Sequence, residues 1–185
     1  MSNSVQYVLW AHHINDQSWT DTSYIKIFTC TTINEFWQLM NSVRTEFKVL
    51  ENYMLFFMKS INNVDIMPRW EDEMNKKGGC WSMKIIHEEA LDNFIDLAVH
   101  FVTDNISVGG VNGISIAPKK KHTIMKIWMS SCYKCQKNDN IWYTKCIGDS
   151  TLNVQRSVFQ VHNNNLRRDY RRKNFFQTNK NRRRR

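Results

Sequence analysis

The chain has 185 residues, of which 42% are hydrophobic and 23% charged, and its formal net charge is +9. This length suits one domain, and the composition is that of a globular protein, which excludes a chain that is disordered throughout. No run of about 18 apolar residues is present, which excludes a membrane-spanning helix. The first residues lack the basic and apolar pattern of a signal peptide, so we expect a cytoplasmic protein.

The positive charge is concentrated at the end of the chain, where Lys and Arg accumulate from Arg167 to Arg185. We expect one domain over residues 1–176, followed by a basic, disordered tail over residues 177–185. Nuclear targeting and sequence-independent RNA contact are the alternatives for this tail. The chain also has seven Trp, six Tyr and ten Phe. These are more rings than a core of this size needs, so some are expected to stack on bases at the surface.

The first predicted elements are two strands and a helix. Residues 5–10 are apolar and aromatic, and residues 24–30 alternate, which predicts two paired strands. Trp19 lies in the polar segment between them and is therefore expected on a loop. The sequence Thr32-Ile33-Asn34-Glu35 has the form of a capping box, and apolar residues at steps of three and four then predict a helix over residues 33–43.

Strands and a second helix follow along the chain. They are predicted as a strand over 53–58, a long hairpin connection over 60–68, a strand over 81–86, a helix over 87–101, hairpin strands over 114–117 and 124–129, and a last strand over 158–161. The basic run from Lys119 to His122 is expected at the tip of the hairpin. This order predicts an α+β fold, in which an antiparallel sheet carries its helices on one face.

One segment of the chain is specific to a known family. The run from Pro68 to Trp81 closely resembles the signature of the translation initiation factor 4E family, whose members bind the 5′ cap of mRNA. Leu9-Trp10 with Trp19 is similar to that family's first strand and cap loop, and the similarity extends over about Val5 to Trp128. The resemblance implies a curved sheet with helices on its convex face and the cap bound on its concave face.

The resemblance implies a cap site in which Trp19 and Trp70 stack on the two faces of 7-methylguanine. Methylation at N7 makes the base cationic, so each indole gains about 1 to 2 kcal/mol of cation–π energy in addition to stacking. Glu71 is implied to accept hydrogen bonds from N1 and N2 of guanine, which rejects adenine. Trp128 is implied to pack against the methyl group. Burial in the core is the alternative for the three tryptophans, and an exposed carboxylate without a role is the alternative for Glu71.

The triphosphate of the cap requires positive charge, and Lys119 stands where the family has an arginine. A lysine neutralises phosphate but cannot form the bidentate fork of an arginine. The family's second basic position is Ile124 here, so Lys121 or Lys126 is expected to substitute, and a third family arginine is Cys80. The sequence therefore predicts a phosphate grip that is looser than the family's or differently placed. A solvated lysine run is the alternative.

Ile33 and Trp37 resemble the centre of the convex surface through which the family binds the scaffold initiation factor 4G and 4E-binding proteins. Asp96 and His100 stand where the family presents leucines, and a carboxylate is costly to bury in an apolar groove. We expect a monomer without a cofactor that binds capped mRNA and supports translation initiation. The alternative is a repressor or decoy that holds the cap without recruiting the scaffold. The departures indicate a divergent member, of the kind expected from a parasite or a large virus.

An enzyme and a zinc site are the remaining alternatives. His87-Glu88-Glu89 has the form H-x-E, and the segment from Cys132 to Cys135 has the form C-x-x-C, which together are the ligands and the general acid/base of zinc deaminases. The proline expected before the first cysteine is absent and both fragments are short, so we expect no enzyme. A structural zinc site would use Cys132, Cys135, Cys146 and a histidine. The chain has five cysteines, an odd number, which without a secretory signal favours reduced thiols.

Overall fold

The structure is a computed structural model, which describes residues 5–46, 52–106, 110–132 and 157–163. Its strands are β1 (Val5–His13), β2 (Ile25–Cys30), β3 (Tyr53–Ile61), β4 (Val64–Asp65), β5 (Gly79–Ile85), β6 (Val111–Lys119), β7 (His122–Met129) and β8 (Val158–Val161). Its α-helices are α1 (Ile33–Thr45) and α2 (Ala90–Val102). Each strand and helix predicted from the sequence is present in this set, with ends that differ by a few residues.

Within the described ranges, the eight strands form one sheet in the order β2-β1-β3-β6-β7-β5-β8, and β4 pairs with the end of β3. Every pairing is antiparallel. The predicted α+β architecture with an antiparallel sheet is therefore confirmed. The expected end of the domain at residue 176 and the basic tail over 177–185 lie outside the described residues.

Side chains alternate between the two faces of the sheet, so the sheet contributes to two separate apolar clusters. The larger cluster joins the sheet to both helices and includes Phe57 and Ile127 of the strands with Phe94 of α2. The smaller cluster contains no helical residue and includes Phe56 and Trp128, the chain neighbours of the first two. We call the side with the helices the helix face and the other side the open face.

The capping box predicted for α1 is formed. Thr32 Oγ1 accepts a hydrogen bond from the Glu35 amide at 3.2 Å, and Glu35 Oε2 accepts one from the Thr32 amide at 3.0 Å. These two bonds satisfy free amides at the helix start and contribute about 1 kcal/mol to stability. Helix α2 begins three residues later than predicted, because residues 87–89 form a 3-10 turn before it.

The connection predicted over residues 60–68 is partly strand. β3 continues to Ile61, and Asn62 and Asn63 then turn the chain into β4 with φ angles of 52° and 62°. Asn tolerates this left-handed conformation better than most residues, and two consecutive left-handed residues form the tightest hairpin turn. The chain then runs from β4 into the loop that carries Trp70.

No helix in the described part of the chain is both long enough and apolar enough to cross a membrane.

Candidate functional site

A cavity of about 480 Å³ opens on the open face of the sheet. Its size is that of pockets that hold small molecules, and its lining is mostly aromatic and apolar with three charged side chains. The lining residues are Trp19, Tyr24, Met54, Phe56, Pro68, Arg69, Trp70, Glu71, Ser115, Ala117, Lys126 and Trp128. Five of the predicted site residues therefore meet at one cavity, namely Trp19, Trp70, Glu71, Lys126 and Trp128.

The first wall of the cavity is Trp19, on the loop between β1 and β2. Its ring stacks on the ring of His12 with centroids 4.2 Å apart and planes 4° apart, while 51% of the residue remains exposed. His12 is fully buried, and its Nε2 donates to the Ser18 carbonyl at 2.8 Å. His12 therefore supports the ring of Trp19 and also holds the backbone beside it, which leaves the other face of the indole available to a ligand.

The second wall is Trp70, on the loop between β4 and β5, which is 41% exposed. Side chains of the same loop fix the backbone on both sides of it. Asp72 Oδ2 accepts from the Met67 amide at 3.0 Å, and Asn75 Nδ2 donates to the carbonyls of Met67 at 2.8 Å and Arg69 at 3.0 Å. Because Asn75 is fully buried, these bonds are protected from water and hold the loop in one conformation.

A second histidine lies behind Trp70. The rings of His162 and Trp70 are nearly parallel, with centroids 6.0 Å apart and planes 11° apart. His162 Nδ1 donates to the Asn75 carbonyl at 2.8 Å, and Nε2 lies 3.0 Å from the Cys80 sulfur. Burial raises the pKa of the Cys80 thiol, so Sγ keeps its proton and donates it to Nε2. Cys80 therefore supports the second wall from inside the protein and does not line the cavity.

The floor of the cavity is Trp128 of β7, which is buried. Its Nε1 donates to Ser115 Oγ at 3.0 Å, and Phe56 meets its ring edge-on with centroids 6.1 Å apart. The hydrogen bond fixes the plane of the indole, so a flat apolar surface closes the cavity below the two walls.

Arg69 joins the two walls, a role that no pattern in the sequence indicates. Its Nη1 forms an ion pair with Asp21 of the Trp19 loop, and its Nε lies 3.7 Å from Glu71 Oε2. Tyr24 adds a second link, since its hydroxyl donates to the Pro68 carbonyl at 3.1 Å. Burial and, to a smaller extent, the charge of Glu71 raise the pKa of Tyr24, so the hydroxyl keeps the proton that it donates.

The three lysines predicted to bind phosphate lie in different places. Lys126 of β7 lines the cavity, with its Nζ 6.0 Å from the centre of the Trp70 ring. Lys119 ends β6 and Lys121 follows it in the turn, where both are exposed and neither lines the cavity. Lys126 is therefore the lysine of the three that lines the cavity.

Ile33 and Trp37 of α1 lie on the helix face and are 68% and 46% exposed. On α2, Nε2 of His100 lies 3.9 Å from Oδ1 of Asp96. The two helices are neighbours, since Arg44 of α1 pairs with an aspartate of α2 at 3.1 Å. The predicted partner surface and the cavity are therefore on opposite sides of the sheet.

The residues proposed for zinc chemistry are not assembled in the described part of the chain. No group of three potential ligands occurs there. His87 Nδ1 is bonded to Thr123 Oγ1 at 2.9 Å, and Cys132 is buried. Cys135 and Cys146 lie outside the described residues.

Sequence comparison identifies relatives of one family. The family model of eukaryotic initiation factor 4E matches residues 4–176. The chain is 27% identical over 123 residues to the initiation factor 4E of Eremothecium gossypii, covering 63% of this chain and 55% of the relative. It is 29% identical over 115 residues to that of Candida albicans, covering 57% of this chain and 52% of the relative. The chain therefore spans about half the length of these curated relatives.

Solved structures share the fold. eIF4E-3 of Ascaris suum in complex with the m7G cap is similar with a TM-score of 0.66 and 18% identity, covering 86% of this chain and 89% of that one. C. elegans eIF4E-3 in complex with the 4E-binding protein Mextli and a cap analog gives a TM-score of 0.66 at 15% identity, covering 88% and 91%. At these identities the likeness establishes the fold, and the match of the family model over residues 4–176 establishes the family. The chain belongs to the eukaryotic initiation factor 4E family, whose members are translation factors and not enzymes.

Proposed function

We propose that this chain binds the 7-methylguanosine 5′ cap of mRNA and thereby supports translation initiation. The observation that carries the proposal is that Trp19, Trp70 and Glu71 line one cavity, although they come from two separate loops. The family match and the similar fold of a nematode protein in complex with the m7G cap support it.

In this proposal the methylated base lies between the indoles of Trp19 and Trp70. A cationic base between two indoles gains cation–π energy from each of them, about 1 to 2 kcal/mol per contact once water is excluded. Stacking on an aromatic side chain adds about 1 to 3 kcal/mol per base, whether or not the base is methylated. The stacking term sets the affinity for any guanine nucleotide, and the cation–π term sets the preference for the methylated one.

Glu71 supplies the selectivity for guanine. Its carboxylate is an acceptor with two oxygens, and guanine presents two neighbouring donors at N1 and N2. Adenine has an acceptor at N1, which would face the carboxylate without a proton between them. Hydrogen bonds to a charged acceptor contribute about 1.5 to 3 kcal/mol, so we expect this contact to exclude adenine nucleotides.

The remaining groups of the cavity suit the rest of the cap. The buried ring of Trp128 offers an apolar surface to the methyl group. Lys126 supplies positive charge to the triphosphate, but a lysine provides a point charge without the two parallel donors of an arginine. We therefore expect weaker phosphate recognition than an arginine pair would give, and a larger share of the affinity from the base.

A variant series with isothermal titration against m7GTP tests the proposal. Trp19→Ala and Trp70→Ala are each expected to lower the affinity at least about thirtyfold, since each removes stacking and cation–π energy of together at least about 2 kcal/mol. Glu71→Gln is expected to reduce the preference for guanine over adenine nucleotides. Trp37→Ala is the matched control, because Trp37 is an exposed tryptophan on the helix face. Equal affinities of Trp70→Ala and Trp37→Ala would contradict the proposal.

We further propose that Ile33 and Trp37 bind a helical segment of a scaffold factor or of a 4E-binding protein. The schistosome and C. elegans structures similar in fold are complexes with 4E-binding proteins. The carboxylate of Asp96 and the polar imidazole of His100 on the neighbouring helix favour the second candidate function, a cap-binding repressor that does not recruit the scaffold.

A pull-down from a translation extract on immobilised m7GTP separates these two functions. An initiation role predicts that the wild-type protein retains a scaffold factor on the resin and that Trp37→Ala loses it while still binding the resin. A repressor role predicts that neither protein retains the scaffold. Equal recovery of the scaffold with both proteins would contradict the role proposed for Trp37.

A further inference from the structure

One strip of the open face carries positive charge beyond the cavity. In the registers of the sheet, Ser82 of β5 is opposite Lys126, and Lys84 is opposite Ile124 one step further along. On the other side of β7, Lys119 of β6 is opposite His122. Alternation along each strand places Lys126, Lys84, Lys119 and His122 on the same face as Trp128, which lines the cavity. We call these four residues the basic strip.

The basic strip contains no opposing charge. The sequences of β5, β6 and β7 include neither Asp nor Glu. Lys84 and Lys119 are exposed, and neither forms an ion pair with any residue that the structure describes. The acidic residues that follow β5 come directly after His87. His87 forms a hydrogen bond with Thr123. Alternation along β7 places Thr123 on the helix face, which is the side opposite to the strip. The positive charges of Lys84 and Lys119 are therefore not paired with an acidic side chain within the described residues.

The basic strip runs from the cavity to the edge of the open face. It begins at Lys126 inside the cavity and ends at the tip of the β6–β7 hairpin. The four residue steps from Lys126 to His122 span about 13 Å along β7, at about 3.3 Å per step. The strip is therefore continuous with the place where the triphosphate of a bound cap would lie, and it leads outward from there.

We propose that the basic strip binds the phosphates of the RNA chain that follows the cap, an inference that rests on the cap-binding function proposed above. A negatively charged, single-stranded chain that leaves the cavity meets Lys84 and Lys119 in turn. No Phe, Tyr or Trp lies on the strip between Lys126 and the tip, so bases are not held by stacking. The contact is electrostatic and independent of sequence.

The test compares m7GTP with a capped RNA of about ten nucleotides, a length within the usual range of single-strand sites. Binding of each ligand is measured by titration at several salt concentrations. The wild-type protein is expected to bind the capped RNA more tightly than m7GTP at low salt, with a steeper fall of log K against log salt. Each phosphate contact adds about 0.7 to that slope for a single strand.

Lys84→Gln is the principal variant, because Lys84 lies outside the cavity. It is expected to make the slope for capped RNA shallower by about 0.7 and to leave m7GTP binding unchanged. Arg44→Gln is the matched control, since it removes one exposed positive charge from α1 on the helix face. Equal effects of the two variants would overturn the proposal, because the strip would then act only through net charge.

Lys119→Gln shows whether Lys119 contacts the RNA chain or the triphosphate of the cap. A loss of affinity confined to the capped RNA supports the place of Lys119 on the basic strip. An equal loss with m7GTP would assign the lysine to the triphosphate of the cap and contradict that place.

The outcomes also separate this inference from the function on which it rests. If m7GTP binds but the RNA chain adds neither affinity nor salt dependence, the proposed role of the basic strip is overturned and cap binding stands. If m7GTP does not bind while uncapped RNA binds in a manner sensitive to Lys84→Gln, cap binding fails and the strip remains as an RNA surface.

Discussion

The Trp19 wall of the cavity depends on a histidine that no ligand would touch. His12 is fully buried, stacks on the indole almost in parallel, and donates to the Ser18 carbonyl. Its other nitrogen, Nδ1, has no hydrogen-bond partner among the described residues. A buried polar atom without a hydrogen-bond partner destabilises the fold. The stack on Trp19 and the hydrogen bond to Ser18 are the contacts that offset this cost. We infer that His12 is a positioning residue for Trp19.

His12→Ala is expected to weaken m7GTP binding about tenfold. The variant loses a stacked pair, worth about 1 kcal/mol, and a hydrogen bond of similar strength that orders the Trp19 loop. His12→Phe keeps a ring behind the indole and is expected to recover part of the affinity. The measurement is isothermal titration, with circular dichroism melting to follow the stability of each variant.

His13→Ala is the matched control for this prediction. The ring of His13 meets Tyr53 edge-on at 5.1 Å and does not contact Trp19. The inference fails if His12→Ala and His13→Ala bind m7GTP with equal affinity.

At the scale of elements, the two loops that carry the tryptophans are joined to each other as well as to the sheet. The ion pair of Arg69 with Asp21 and the hydrogen bond of Tyr24 to Pro68 each cross between them. A cleft whose walls are linked before the ligand arrives loses less conformational entropy on binding. The links are therefore expected to raise the affinity by lowering the entropy cost of binding.

Arg69→Met is expected to lower the affinity for m7GTP about threefold, because an exposed ion pair contributes up to about 1 kcal/mol. Asp21→Asn removes the same pair from the other loop and is expected to have a similar effect. The binding free energy lost in the double variant should be smaller than the sum of the losses in the two single variants, since either change alone already breaks the pair. Full additivity in titrations of the four proteins would contradict the link.

The elements themselves could be predicted from the sequence because their signals are local. Alternation predicted the strands, and Thr32 with Glu35 predicted the start of α1. Supporting contacts such as those of His12 and Arg69 could not be predicted in this way. They depend on which segments become neighbours, and a single histidine or arginine carries no periodic signal. The predicted first strand ends at residue 10, whereas β1 continues to His13 and thereby places His12 on the same face as Trp10.

The lysines illustrate the same limit. Three were predicted for phosphate, and the predicted place of the run from Lys119 to His122 at the tip of the hairpin is confirmed, but the sequence does not show which of the three lines the cavity. The observed register pairs Lys119 with His122, which places Lys119 and Lys121 at the tip and leaves Lys126 beside the cavity. Register is set by pairing along both strands, so one residue more or less in the turn would have changed all three positions.

At the scale of the whole molecule, the sheet separates two surfaces. The cavity lies on the open face, and the exposed side of α1 with Trp37 lies on the helix face. The large core between the sheet and the helices makes the sheet a rigid support for both. The cap and a protein partner could therefore bind at the same time, which an initiation factor requires and a repressor also permits.

The measurement that tests the central claim most directly is the affinity of the wild-type protein for m7GTP compared with GTP. The two ligands share the ring system, the edge that Glu71 would recognise and the triphosphate, and they differ in the methyl group and the positive charge it places on the base. Two indole contacts of at least about 1 kcal/mol each predict that m7GTP binds at least tenfold more tightly. Equal, weak binding of both nucleotides would contradict a cap site between Trp19 and Trp70.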